Sequence, residues 1–366
     1  MRSSANAASL LHGGRYVPSR RRALQIIGAG GLASLANYQT LPLFADDFPA
    51  RTDFDALYDK DVDTAIRSGL ALLLSRQNPD GSFLSNDWGR DAGVCSLVGL
   101  ALLSRGVRTG FGPAGKCLQL IGRYLCDQAQ DSGFIMVEGS PSHGQMYGHG
   151  FATLLLSELY GTSSSDEIRP KLSAAVDLIV RSQNEQGGWR YEPRPYEADL
   201  SVTVCQVMAL RAARNAGLGV AKETIDRAVD YIRRSQNADG GYMYQLSGGR
   251  SRFALTAAAV VALYNAGIYE GQEIESAINY LQSNLALNSS LERNSFFYYA
   301  HYYSAQAFWH RGGQAWEQWY GRLKRTILPL RNAQGGWFDY NSIEYGTAMA
   351  CLILNMPRTV LPIFQR

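Results

Sequence analysis

The 366-residue chain has little of what marks several function classes. Its five cysteines, Cys95, Cys117, Cys126, Cys205 and Cys351, are odd in number, show no paired spacing and include no CxxC. They read neither as a disulfide framework nor as a zinc finger. Its 35 Lys and Arg nearly balance 32 Asp and Glu, and part of the small excess sits at Arg20, Arg21 and Arg22. Without a basic patch or interleaved aromatic and basic residues, nothing points to a nucleic-acid partner. The apolar stretch 23–36 is too short and too rich in glycine to be a good membrane span, so no stable span is expected in the mature chain. No metal or other cofactor is implied. What the chain does have is apolar material, 46% of its residues, which is enough for a large core in a soluble globular protein.

One stretch recurs. Arg181-Ser182-Gln183-Asn184-Glu185-Gln186-Gly187-Gly188-Trp189 returns as Arg234-Ser235-Gln236-Asn237-Ala238-Asp239-Gly240-Gly241-Tyr242. An earlier copy is Ser75-Arg76-Gln77-Asn78-Pro79-Asp80-Gly81-Ser82-Phe83. Weaker copies run over 128–134 and 331–337, the latter with Arg331 in the Gln place, and the spacing leaves room for a degenerate copy near Leu285. The first copies are separated by 51, 55 and 53 residues, which defines a repeat architecture of about six units.

Before each motif the pattern is helical and two-faced. Ile225, Ala228, Val229 and Ile232 fall at i, i+3, i+4 and i+7, and Leu172, Ala175, Val176 and Ile179 repeat that spacing. After each motif comes a segment with almost no polar face, as in 92–103, 202–210 and 253–267. The glycines between the two stop the first helix by allowing positive φ. Dry helices inside and amphipathic helices outside make two concentric rings. The expected fold is all-α, an (α/α)6 toroid of about six helix pairs running from near Asp59 to near Asn355. An open solenoid would need polar capping repeats, and the sequence shows none.

Residues 1–45 read as a signal peptide and linker ahead of a single toroid domain at 46–366. Ser19-Arg20-Arg21-Arg22-Ala23-Leu24-Gln25 sets a twin arginine before the short apolar stretch, the pattern of a twin-arginine export signal. Export to the periplasm or cell envelope is expected, with an uncleaved N-terminal anchor as the alternative.

The Gln-x-x-x-Gly-x-aromatic motif on paired helices resembles the prenyltransferase and squalene-oxidase repeat of the α-α toroid superfamily. That superfamily includes squalene and hopene cyclases and the β subunits of protein prenyltransferases. The likeness covers the chain from about Asp59 to Asn355. It implies that Gln77, Gln183, Gln236, Trp189, Tyr242 and Trp337 hold helix ends and neighbouring repeats together, and that an apolar, isoprenoid-like molecule occupies the central cavity. The known chemistries of the family are missing. Asp59-Lys60-Asp61-Val62-Asp63 lacks the spacing of the Asp-x-Asp-Asp acid of protonating cyclases and reads as a helix start. No segment supplies an Asp-rich metal box. Asp91 and Cys95 stand four apart, whereas the zinc ligands of a prenyltransferase β subunit stand two apart and are joined by a His.

Aligned on their own spacing, the dry helices carry a polar or ionisable residue near each start: Asp91, His149, Asp199, Arg252, His301 and Glu344. In a closed ring these would converge on one mouth of the cavity. Asp91, His149, Asp199 and Glu344 are the candidate catalytic residues, since carboxylates with imidazoles suffice for general acid–base work. His149 stands out because imidazole is not a favoured cap and Gly148 and Gly150 flank it. Tyr147, Arg252, Tyr299 and His301 are the candidate ligand contacts. The acids also suit helix capping, and Arg252 can pair with Asp199. The dense aromatics of 294–311 divide between core and cavity lining. Three functions follow: an enzyme or binder of an apolar isoprenoid-like molecule, a carbohydrate-active (α/α)6 hydrolase or lyase with a separated carboxylate pair, or a non-catalytic interaction scaffold. A cavity plugged by Phe296, Tyr299, Tyr303 and Trp309 would favour the last.

Overall fold

Each amphipathic segment forms an outer helix and each dry segment an inner one. The computed structural model describes residues 57–86, 88–142, 144–162, 166–288, 296–339 and 342–365, all within one unit. Six helix pairs follow one another there: α1 (Lys60–Arg76) with α2 (Ala92–Ser104), α3 (Gly112–Asp127) with α4 (Gln145–Tyr160), α5 (Ile168–Arg181) with α6 (Leu200–Asn215), α7 (Lys222–Arg234) with α8 (Phe253–Asn265), α9 (Gln272–Asn288) with α10 (Phe297–Arg311), and α11 (Gly313–Ile327) with α12 (Ile343–Leu354). Every residue of α2 is buried, and α8 is buried except at Ala254. By contrast α7 buries Ile225, Ala228, Val229 and Ile232 and turns Glu223, Asp226, Asp230 and Arg233 to solvent. Burying one large aliphatic side chain contributes about 1.5–3 kcal/mol, so helices that are apolar all round take the inner positions.

Around the axis α2 packs on α4, α4 on α6, α6 on α8, α8 on α10 and α10 on α12; α12 then packs on both α1 and α2. That return closes the ring into the expected (α/α)6 toroid. The boundaries agree with the sequence: Asp59 caps α1 by accepting from Val62 N (3.0 Å), and Asn355 follows the last turn of α12.

The motif is the joint between neighbouring pairs. Gln183 Nε2 donates to Gly187 O (2.8 Å) in its own turn and to Thr224 O (2.9 Å) in the next outer helix. Gln77 joins Gly81 O to Cys117 O, and Gln236 joins Gly240 O to Glu273 O, in the same way. Trp189 and Trp337 donate Nε1 to Ile179 O (2.7 Å) and Ile327 O (2.8 Å) of their own outer helices. Gly187 sits at φ +96°, and a Cβ there would stand 2.2 Å from Arg227 O of α7. Only glycine fits such a place. Gly335 makes the ring-closing version of this contact, with φ +92° and a Cβ position 2.0 Å from Ser68 Oγ of α1.

The second copy of the motif is set one residue later than the sequence alignment places it. The local bridge joins Ala129 to Ile135, matching Gln236 with Tyr242 and Arg331 with Trp337. Leu285, the anchor of the degenerate copy, lies late in α9; residues 289–295 and the expected leader at 1–45 lie outside the described residues. A two-stranded hairpin, β1 (Leu84–Ser85) and β2 (Gly89–Arg90), stands between the first motif and α2. The five cysteines are free and buried. No helix among the described residues is long and apolar enough to cross a membrane. Trp316 of α11 stacks on Trp319 (5.7 Å) and meets Trp309 of α10 edge-on (5.2 Å), and Phe297, Tyr298, Tyr302, Tyr303 and Phe308 of α10 are buried, so much of the aromatic excess is core.

Candidate functional site

All six inner helices begin on the side of the motif turns, and their first turns surround the axis. Tyr147 of α4, Tyr299 and Tyr303 of α10 and Tyr345 of α12 are close enough to act on one another electrostatically, and Asp199 at the start of α6 acts on Tyr147 and Tyr299. In the ring α4 stands opposite α10 and α6 opposite α12, so the cluster spans the axis. Tyr147, Tyr299 and Tyr345 are partly exposed, whereas Tyr302 and Tyr303 are fully buried. The result is a well with tyrosine walls. Tyr303 lies beneath it, fully buried, with its ring centroid 4.9 Å from Tyr299 and 5.0 Å from Tyr302. At the rim the Tyr191 and Tyr244 hydroxyls bond to each other, and the Tyr191 ring lies 6.2 Å from Tyr147. Trp88, at the hairpin, meets Tyr345 edge-on at 5.3 Å.

Asp199 is wholly buried beside this well. Its Oδ1 accepts from Val202 N (3.0 Å), capping α6, and from Ser201 Oγ (2.6 Å). Among the described residues its Oδ2 has no hydrogen-bond partner within normal distance, although the Tyr244 hydroxyl is near enough to favour its charged form. Burial outweighs these contacts and that of Arg190, and pushes the carboxyl above its ordinary range. The hydroxyls of Tyr299 and Tyr303 also have no partner among the described residues, and burial holds both phenols far above their usual pKa, as neutral donors. A buried polar atom left unpaired costs about 1–3 kcal/mol. The surrounding rings shield these three polar atoms from solvent.

The other candidates separate from this cluster. Asp91 caps α2 through Val94 N (3.0 Å), and burial pushes its carboxyl up. Glu344 faces the seam between the first and last pairs: Oε1 accepts from Arg76 Nε (2.5 Å) and Oε2 from Ser342 Oγ (2.8 Å), in a cleft of about 570 Å³ shared with Asn78 and Ser85. His149 is buried one turn below the helix start. Its Nδ1 accepts from Ile135 N (3.1 Å) and its Nε2–H faces Ala175 O (3.2 Å). Burial lowers its pKa to about 3, so the ring is neutral. Thr203, Thr256 and Thr347 fill the same place elsewhere, accepting from the amides of Trp189, Tyr242 and Trp337. His301 is buried among Phe253, Phe297 and Trp319, on the side of α10 that faces the outer ring. Arg252 is exposed with its guanidinium over the Tyr244 ring (5.8 Å), and no ion pair joins it to Asp199 among the described residues. The structure thus brings Tyr147, Asp199 and Tyr299 together and puts Arg252 near their rim, but sends Asp91, His149, His301 and Glu344 elsewhere. It also recruits Trp88, Tyr191, Tyr244 and Tyr345, which the sequence did not single out. Tyr191 and Tyr244 each stand two residues after a motif aromatic, a repeated signal that could have revealed them.

These features define a class: a closed toroid of six helix-pair repeats with an aromatic well on its axis. The prenyltransferase alpha-alpha toroid domain model matches residues 56–175, and the squalene-hopene cyclase C-terminal domain model matches residues 157–299. Over residues 56–299 the chain thus carries squalene-hopene-cyclase-like repeats of the prenyltransferase α-α toroid type. No curated protein matches it in sequence. Among solved structures, the apo type II terpene cyclase MstE from Scytonema is 14% identical at a TM-score of 0.60, covering 81% of this chain and 98% of that one. A protein from Actinoplanes is 16% identical, with a TM-score of 0.58 and coverage of 81% and 98%. The GH76 alpha-mannanase from Bacteroides thetaiotaomicron is 11% identical, with a TM-score of 0.60 and coverage of 83% and 97%. At such identities the likeness is one of fold.

Proposed function

We propose that the axial well binds an apolar, isoprenoid-like small molecule carrying a polar head, and that it binds the molecule rather than cyclising it. One observation carries this reading: partly exposed tyrosine rings surround the buried Asp199 carboxyl and the Tyr299 hydroxyl, the latter without a partner among the described residues. The rings of Tyr147, Tyr299 and Tyr345 offer apolar faces to a ligand. Asp199 keeps its proton above the usual carboxylate range and can donate it in a hydrogen bond to a ligand oxygen. A carboxyl of raised pKa is a weak acid towards a carbon–carbon double bond, and the sequence lacks the Asp-x-Asp-Asp acid. MstE, which shares the fold, has been seen with geranylgeranyl dihydroxybenzoate as substrate, and that supports an isoprenoid.

The hydrolase alternative has the fold of the GH76 enzymes behind it, one of which was seen with alpha-1,6-mannotetrose. It needs two carboxyl groups free to face a glycosidic bond. Here Glu344 is bound to Arg76, and Asp91 and Asp199 each commit an oxygen to a helix start. Native mass spectrometry of the purified protein, with and without added farnesol and mannotetrose, tests the choice. Saturable uptake of farnesol, weakened about tenfold by Tyr299→Ala, is expected. Uptake of mannotetrose alone, or of neither, would sink the proposal.

The twin arginine at Arg20 and Arg21, one residue after Ser19 and ahead of Leu24, supports export through the twin-arginine route and a domain start near residue 46. Replacing Arg20, Arg21 and Arg22 by Lys is expected to hold the protein in the cytoplasm on cell fractionation; unchanged export would overturn this.

A further inference from the structure

The seam where the first and last pairs meet carries a second concavity, apart from the axial well. It is the cleft of about 570 Å³ beside Glu344, lined also by Arg76, Asn78, Ser85 and Asn86, with the exposed Leu84 as an apolar wall. The sequence accounts for the opening. Two residues after the motif aromatic, the third and fourth copies place Tyr191 and Tyr244, and the first copy places Ser85. Tyr244 lies against the start of α6, where its carbonyl accepts from Leu200 N (2.9 Å). Ser85 lies against the start of α12, its Oγ donating to Ser342 Oγ (3.0 Å). A phenol ring is thus missing at the seam, and the space it would take stays open. The residue before the motif glutamine changes too. Ser182 and Ser235 are buried there and bond carbonyls of their own helices (3.2 and 2.9 Å), whereas the first copy has Arg76.

The polar groups of the cleft are only part paired. The Glu344 side chain is 3% exposed and that of Arg76 39%. Glu344 accepts one hydrogen bond at each oxygen, from Arg76 Nε and Ser342 Oγ, so each keeps a free lone pair. Among the described residues the Nη groups of Arg76, the carboxamide of Asn86 and Oδ1 of Asn78 have no hydrogen-bond partner, while Asn78 Nδ2 donates to Ser82 Oγ. An added anion would meet the buried Glu344 carboxylate and an added cation the Arg76 guanidinium, so the cleft favours a neutral ligand. The guanidinium fork and the carboxamides each offer adjacent polar atoms, which suits neighbouring hydroxyls on a ring.

We propose that the seam cleft is a binding site for a short neutral saccharide of one or two rings, held by Arg76, Asn78 and Asn86 with a ring face on Leu84. Its volume lies within the range of about 300–1,000 Å³ of small-molecule sites. The site stands apart from the well and does not depend on what the well binds. Its single carboxyl is committed to Arg76, so it holds a sugar without hydrolysing it.

Isothermal titration of the full chain with maltose, cellobiose and α-1,6-mannobiose tests this, with the disaccharide acid lactobionate as the charged comparator. At least one neutral disaccharide is expected to bind with a Kd of about 1 mM or tighter, and lactobionate at least about tenfold more weakly. Ser85→Tyr supplies the ring that two other copies carry, fills the cleft, and is expected to weaken the sugar at least about tenfold. Asn86→Ala, at an exposed position, is expected to weaken it by about threefold to tenfold, and keeps the test decisive if Ser85→Tyr fails to fold. Native circular dichroism checks each variant. No disaccharide bound, lactobionate bound as tightly as the neutral sugars, or binding unchanged in either folded variant overturns the proposal.

Discussion

Arg105 Nη2 reaches Asp63 Oδ1 at 2.8 Å, tying the end of α2 to the first turn of α1 where the first and last pairs meet. Nη1 of the same guanidinium bonds Tyr58 and reaches Asn355 Oδ1 (3.2 Å), and Arg358 lies over the Tyr58 ring at 4.3 Å. Burial alone would raise the Asp63 carboxyl, but Arg105, Arg67 and Tyr58 together hold it below its ordinary value. A carboxyl depressed by folding stabilises the protein above its unfolded pKa, and that stability is lost as pH falls through the folded value. Asp63→Ala is expected to cost about 3 kcal/mol near neutral pH by urea denaturation. The gap to wild type is expected to narrow below about pH 4.

Two glycines of positive φ, one after α6 and one in the motif, separate two kinds of penalty. Gly217 has φ +91° with nothing near its absent Cβ, whereas Gly187, at φ +96°, faces a backbone oxygen at 2.2 Å. Gly217→Ala is expected to lose about 1–2 kcal/mol, the strain of the left-handed conformation alone. Gly187→Ala must also push α7 away, and is expected to lose more than about 3 kcal/mol or to yield no folded protein. Thermal unfolding of the two variants side by side measures the difference; equal losses would contradict the tight joint.

His149 gives the fold a dependence on acid. Its pKa falls from 6.5 to about 3, chiefly by burial, with the Ala175 carbonyl working against the shift and Arg181 with it. A histidine buried neutral stabilises above its unfolded pKa, and that contribution is lost as pH falls from 6.5 towards 3, by about 1.4 kcal/mol per pH unit. His149→Thr copies the residue that does the same task at Thr203, Thr256 and Thr347, and keeps an acceptor for Ile135 N. The variant is expected to be less stable near neutral pH because it is smaller, but to lose less on acidification. Unfolding free energies between about pH 7 and pH 4 check the slope.

Asp199→Asn distinguishes a cap from a ligand group. Asparagine caps a helix as well as aspartate does. The raised carboxyl favours the fold below its unfolded pKa, and that advantage is lost as pH rises through the folded value, so at neutral pH the amide is expected to be neutral or mildly stabilising. Farnesol binding is expected to weaken by about threefold to tenfold, with its pH dependence removed. A loss of stability of more than about 1 kcal/mol with binding unchanged would make Asp199 a cap alone.

The fold was legible because its joints repeat. Gln183, Gly187 and Trp189 each make a contact that Gln236, Gly240 and Tyr242 make again or nearly so, and an alternation of dry and half-wet helices leaves few other ways to bury both. The site was less legible because the stretch between joint and inner helix changes length. Ten residues separate Trp189 from Asp199 and Tyr242 from Arg252, but eight separate Phe83 from Asp91 and five separate Trp337 from Ser342. An alignment by spacing therefore set His149 level with Asp199, when it lies level with Thr203. Periodicity also cannot tell which side of α10 faces the axis: His301 and Tyr299 are two residues apart in sequence, yet His301 packs on Trp319 of the outer ring and Tyr299 on Tyr303 at the axis.

The joint at Gly335 and Ser68 gives the molecule one more consequence. An open stack of helix pairs frays from its outermost unit, which is held on one side only. Here each pair is gripped on both flanks, and the first unit to melt must break two joints at once. Heating should accordingly show a single sharp transition, and damage at one joint should lower the melting point of the entire ring instead of releasing one segment of it.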